Sequence, residues 1–173
     1  GLIESPSPED RRRGLEIILA ADSASATPYV TARLGDPAPE IRSLAASMMS
    51  TYRIPDADVP LVALLADPAP AVRQAAVEAL LPYADNARVL YALPPYLSSH
   101  DNHVAEAALI VWQTAAAKHK PEGLTAIRPA LLAASDDVKP SLLNAVLSVY
   151  RPGELEPIRA EIEKARPELQ PRR

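Results

Sequence analysis

Asp36-Pro37-Ala38-Pro39-Glu40-Ile41-Arg42 and Asp67-Pro68-Ala69-Pro70-Ala71-Val72-Arg73 are one seven-residue phrase written twice, 31 positions apart. A looser copy, Ser5-Pro6-Ser7-Pro8-Glu9-Asp10-Arg11, stands 31 positions before the first. Each phrase has the chemistry of a turn that launches a helix. The aspartate can accept from backbone N–H groups left free at the turn, and Pro39 and Pro70 suit a first helical turn, where no N–H bond is lost. Glu40 then lies near the positive end of its helix. Recurrence at one fixed spacing is the mark of a repeat array.

Working outward, each phrase is followed by an apolar stripe at helical spacing. Behind the third copy it reads Val72, Ala76, Ala79, Leu80 and Tyr83. It returns as Ile41, Ala45, Met48, Met49 and Tyr52, as Val104, Ala108, Val111, Trp112 and Ala115, and as Val138, Leu142, Ala145, Val146 and Val149. We call this element helix B. A second stripe, helix A, precedes the turn and is marked by Val30 with Leu34, Leu61 with Leu65, Leu93 with Leu97, Ile127 with Leu131 and Ile158 with Ile162. Successive A pairs are 31, 32, 34 and 31 residues apart, so both helices keep one register.

The expected fold is therefore all-α, an α-α superhelix of about five helix-pair repeats. Helices are expected over residues 8–21, 26–34, 39–52, 58–65, 70–83, 86–97, 102–118, 121–133, 136–150 and 154–165. Residues 1–165 read as a single repeat domain, with 166–173 a tail or the start of a further helix B, since Pro167-Glu168-Leu169 stands in the register of Pro39-Glu40-Ile41. Pro94-Pro95 and Pro129 fall inside helix A of the later repeats, where a missing N–H and a ring clash predict a kink. At the start, Gly1 replaces a methionine and Ile3 stands in the register of Leu34, so the chain reads as part of a longer array. Its uncapped ends are expected to expose Leu15, Ile18 or Leu19 on one side and Ile158 and Ile162 on the other, and to favour self-association.

Composition agrees with helices and narrows the function. Of 173 residues 48% are apolar, almost all Ala, Leu, Val and Ile, with no Phe, one Trp and five Gly. A net charge of -4 argues against a nucleic-acid partner, which calls for a basic excess to neutralise phosphates. With no cysteine there is neither a disulfide nor a thiolate site, a usage that fits a reducing cytoplasm or an oxidising envelope compartment. No apolar run approaches the roughly 20 residues that span a bilayer, so membrane insertion is not expected.

A Leu-rich helix A, then Asp-Pro-x-x-x-Val-Arg-x-x-Ala, then a helix B ending in an apolar pair resembles the HEAT repeat, in particular the short variety first named from phycobilisome lyases. The match is specific from Asp36 to Ala45 and from Asp67 to Ala76. Ser5, Asp10 and Gly14 depart from it in the first copy, and Ala105 stands for the arginine in the fourth. The resemblance implies a right-handed superhelix with A helices on the convex face and B helices on the concave one, used mostly to hold other macromolecules. It also implies a stabilising ladder of Asp and Arg from successive repeats, carried over here to Asp36, Arg42, Asp67 and Arg73.

Several residues invite chemistry. His100 and His103 flank Asp101 at the turn before the fourth helix B, which as a His-x-x-His could contribute metal ligands. The simpler reading is a polar turn in which Asp101 or Asn102 caps the helix. Arg11-Arg12-Arg13 could meet phosphate or an acidic partner, but Glu9, Asp10 and Glu16 lie beside it and Arg11 is in the ladder register. Trp112 shares the position of Met49 and Leu80 and reads as core. Tyr52 and Tyr83 are expected to pack at helix ends with their hydroxyls in water. No Ser-His-Asp order, phosphate-binding glycine loop or paired carboxylate helix stands out, so no catalytic residue, metal ligand or cofactor is assigned.

The leading reading is a non-catalytic protein-interaction scaffold. The others are an enzyme or enzyme accessory of the bilin-lyase-like type and a structural spacer within a larger protein. Helix B residues off the apolar stripe are the candidate partner-binding positions: Ser43, Ser47, Gln74, Glu78, Glu106, Ile110, Gln113 and Asn144. Ile110 is the apolar member of that set. The register itself is testable, because Ala45, Ala76 and Ala108 should mark close approach of neighbouring helices. Ala76→Leu is expected to overpack its junction and cost about 1 to 3 kcal/mol, seen as a lower melting temperature; an unchanged melt contradicts the register.

Overall fold

The computed structural model describes residues 1–165, with no strand among the described residues. Packing divides the chain into two compact units, Gly1–Tyr83 and Ala84–Arg173. Each is built of A and B helices in the register of the sequence, an all-α helical-repeat fold.

Unit 1 opens with a 3-10 turn, Leu2–Glu4, followed by α1 (Pro8–Ala21), α2 (Ser23–Arg33), α3 (Pro39–Thr51), α4 (Asp58–Ala63) and α5 (Pro70–Leu80). Helices α1, α3 and α5 are B helices, and each begins on the proline of its phrase because proline at the first position gives up no bond. Their stripes face inward: Leu15, Ile41, Ala45, Met49, Val72, Ala76 and Leu80 are buried against Val30, Leu61 and Leu65 from the A helices. The opening turn lies on α1. A Cβ on Gly14 would fall 2.9 Å from Ile3 N, so the glycine, in the position of Ala45 and Ala76, makes room for that turn.

Helix α3 ends in a Schellman turn, with Arg53 in the left-handed region at φ 50°, its N–H on Ser50 O and the Ile54 N–H on Met49 O. The Tyr83 hydroxyl then donates to Met49 O at 2.8 Å and Ile54 O at 3.0 Å. This corrects the expectation of a wet hydroxyl: Tyr83 clasps the end of the preceding B helix, while Tyr52 stays exposed.

Unit 2 contains α6 (Arg88–Ala92), α7 (Pro94–Leu97), α8 (Asn102–Lys118), α9 (Lys120–Ala133), α10 (Lys139–Val149) and α11 (Arg159–Ala165). The Asp101 carboxylate caps α8 through the His103 N–H at 2.9 Å. Trp112, fully buried, donates from its indole N–H to Gly123 O at 3.2 Å. The Tyr150 hydroxyl donates to Lys120 O at 2.7 Å, and Lys120 pairs with Glu154 at 2.7 Å. Burial pushes the Tyr150 phenol up to about 12. Ile127, Leu131, Leu142, Val146 and Ile158 complete this core.

Proline explains most departures from the expected helices. Pro94 and Pro95 break the expected 86–97 helix at Leu93 and restart it as α7. Pro129, at the repeat position of Pro95, leaves α9 continuous, so the break is not shared: one lost N–H is tolerated where two in succession are not. Pro140 has no N–H to offer Asp136 O, so α10 starts at Lys139 rather than 136. Leu15 and Leu19 are buried and Ile18 is half-buried, and Ile17 is the exposed large apolar residue of α1 at 59%. Ile158 is likewise buried. The expected helix start after residue 165 lies outside the described residues.

A Cβ at Gly123 would overlap both the Tyr150 hydroxyl and the Ala116 Cβ. Gly123→Ala should therefore displace the Tyr150–Lys120 bond and lower the stability of unit 2 by about 1 to 3 kcal/mol. Chemical denaturation followed by Trp112 fluorescence checks this; an unshifted midpoint contradicts the packing.

Candidate functional site

The turns that lead into the B helices of unit 1 are locked by arginine–aspartate forks. Arg11 Nε and Nη2 donate to Asp36 Oδ2 and Oδ1 at 2.8 and 2.6 Å. Arg42 repeats this on Asp67, with Nε to Oδ2 at 2.7 Å and Nη2 to Oδ1 at 2.8 Å. The same carboxylates accept from Ala38 N and Ala69 N, both at 2.9 Å, closing their own turns. Each guanidinium also reaches back across a turn, Arg11 to Ser5 O and Pro6 O, Arg42 to Asp36 O and Pro37 O, Arg73 to Asp67 O and Pro68 O. Burial by itself would raise the Asp36 and Asp67 carboxyls, yet the guanidinium and backbone N–H bonds outweigh it and hold both below their ordinary value.

Next to these forks lies an open cleft of about 700 Å³ along the N-terminal ends of the B helices. Its apolar lining is Pro8, Ile41, Leu44 and Ala71, and its polar lining is Ser7, Glu9, Arg12, Glu40, Ser43 and Ser47. The Ser43 hydroxyl oxygen is buried without a hydrogen-bond partner. The Ser47 hydroxyl donates to Ser43 O at 3.1 Å. In unit 2 a much smaller hollow of about 90 Å³ lies between α8 and α10, with Glu106, Asp137 and Ser141 on its walls.

The family model for HEAT repeats matches residues 1–81. That segment of the chain is similar to HEAT repeats. No curated protein and no solved structure is significantly similar to the chain. The matched HEAT segment is nearly the whole of unit 1, and beyond it the apolar register alone carries the repeat.

Among the candidate binding positions, Ser43 and Ser47 come together in the cleft. Gln74 and Glu78 are exposed on α5 and bonded to each other at 3.0 Å. In unit 2, Glu106, Ile110 and Asn144 are exposed, with Ile110 at 48%. Gln113 is half-buried and donates to Ser148 at 3.0 Å, and Ser43 is half-buried too, so neither is the freely exposed position expected of it. Sequence reasoning did not place Glu9, Glu40, Leu44 or Ala71 among the binding positions, and weighed Arg12 only as part of the basic run. The signal was there: Glu9, Glu40 and Ala71 share one repeat position, as do Arg12 and Ser43. First-turn residues were set aside because a stripe argument looks for burial rather than for the rim of a groove.

The basic run is internally matched. Arg11 is buried on Asp36, while Arg12 and Arg13 pair with Glu16 and Glu9 one turn away on the solvent side. His100 and His103 are exposed, and among the described residues no group of three His, Cys, Asp or Glu is placed to hold a metal. No described helix is long and apolar enough to cross a membrane.

The forks make a signed prediction. Asp36 and Asp67 have depressed folded-state values, so their stabilisation is complete above the ordinary aspartate value near 3.9 and is lost as pH falls through the lower folded value. Asp67→Ala at neutral pH should cost about 3 to 5 kcal/mol, because Arg42 is left largely buried without its carboxylate. The melting-temperature gap between wild type and Asp67→Ala should narrow below pH ~4; a gap independent of pH contradicts the assignment.

Proposed function

We propose that this chain is a non-catalytic scaffold that holds a protein partner on the B-helix face of unit 1, at the cleft along the starts of α1 and α3. The observation that carries the reading is an apolar floor, Pro8, Ile41, Leu44 and Ala71, left open between charged and hydroxyl-bearing walls. Repeat proteins commonly bind through such surfaces, and HEAT repeats are widely used as interaction scaffolds. The mixed lining suits a peptide segment or helix edge that brings apolar contact to the floor and hydrogen-bonding groups to the walls. The forks beneath hold the cleft's turns in place, so little ordering is left for the moment of binding.

Affinity capture with the chain as bait, followed by mass spectrometry, identifies the partner. Introducing Ser47→Arg with Glu40→Lys, which fills the cleft and reverses one wall, should weaken capture at least about tenfold, equivalent to ~1.4 kcal/mol, while the melting temperature stays within a degree or two. Undiminished capture by that double variant overturns the cleft as the docking site. Turnover of a co-purified small molecule overturns the non-catalytic reading.

A further inference from the structure

The fork pattern of unit 1 runs one arginine further than its aspartates. Arg11, Arg42 and Arg73 share one register, and each is fixed by the same pair of bonds from Nη1 to two turn carbonyls. Those bonds are 2.9 and 3.0 Å for Arg11, 2.7 and 3.3 Å for Arg42, and 2.7 and 3.2 Å for Arg73. The opposite edge of the guanidinium, Nε with Nη2, grips both oxygens of Asp36 in the first case and of Asp67 in the second. In the third case Nε and Nη2 of Arg73 have no hydrogen-bond partner among the described residues. The sequence position that continues the Asp36, Asp67 series is Ser99, which has no carboxylate to give.

We propose that the open edge of Arg73 is a carboxylate-binding site, and that its ligand is an aspartate presented by a partner protein in an Asp-Pro turn like the two that fill the equivalent edges. A guanidinium fork matches a carboxylate with two parallel N–H···O bonds, and such pairs carry geometric specificity that a lysine cannot supply. Arg73 is already held by its Nη1 bonds and is only half-exposed, so most of the side-chain freedom that ordinarily opposes an ion pair has been removed before the ligand arrives. Asp67, whose backbone carbonyl Arg73 holds, has its carboxylate committed to Arg42 and Ala69 and does not compete. The assignment of a protein partner rests on the scaffold reading. The site does not rest on the cleft, which Arg73 does not line.

The test uses the full chain and a synthetic probe, acetyl-Asp-Pro-Ala-Pro-amide, with the Asn-Pro-Ala-Pro peptide as control. In ¹H–¹⁵N spectra of the arginine side chains, the Arg73 Nε–H resonance should move saturably as the Asp peptide is raised to about 10 mM, a range suited to weak peptide binding. The Arg11 and Arg42 resonances should stay still, and the Asn peptide should move none of them. The backbone amide resonances of residues 72–74 should follow the same titration in the wild type and stay still in Arg73→Lys, whose melting curve reports that it folds; if it does not fold, the wild-type titration against the control peptide decides alone. An unmoved Arg73 resonance, or equal shifts with both peptides, overturns the proposal. Either result leaves the cleft to be judged by the capture experiment, so the two readings fail separately.

Discussion

A carboxylate shut away from water must be matched by charge and hydrogen bonds, or the fold around it will not hold. In unit 1 this constraint is met twice by an arginine 25 residues earlier in the chain, one helix pair back. The four acceptor contacts of Asp36 and Asp67 with their arginines use the fork geometry of guanidinium, and the remaining lone pairs close the aspartates' own turns. One residue thus fixes a turn, starts a helix and ties neighbouring repeats together. Removing a single partner leaves the other buried and unmatched, which is why the pair sets register even where its net contribution to stability is modest.

Unit 2 reaches comparable order with other chemistry. It has no Asp-Pro phrase, and its fixed points are the indole of Trp112 on Gly123, the phenol of Tyr150 on Lys120 and the Lys120–Glu154 pair. These bonds collect at the junction of α8, α9 and the end of α10, where a glycine lets the aromatic side chains come close. Large buried aromatics with one polar end matched do there what forks do in unit 1. The cleft lies in unit 1, whose fork-held turns set the starts of several B helices side by side, whereas the hollows of unit 2 at α9 and between α8 and α10 are smaller, about 260 and 90 Å³.

Helix positions were largely legible because period and punctuation agreed. Pro39 and Pro70 begin their helices as written, and Trp112, read as core, is fully buried, as are the stripe residues Val72, Ala76 and Leu80. The misses share a cause. Whether Pro95 and Pro129 behave alike depends on the proline next to one of them, and whether Tyr83 is wet depends on carbonyls 34 and 29 residues away. Likewise, Leu15 is covered by elements that a helical stripe cannot place.

Local sequence settled what is local or strictly periodic: which segments are helical, which face of each is apolar, where the turns fall, and that Asp36, Arg42, Asp67 and Arg73 hold corresponding positions. Backbone hydrogen bonding and side-chain spacing within a turn or two decide those features, and they recur with the repeat. Tertiary structure alone decided which arginine meets which aspartate, that the edge of Arg73 stays open, and that first-turn residues of separate B helices line one cleft. Those outcomes depend on distances between groups some 25 to 34 residues apart, which are set only when the helices pack.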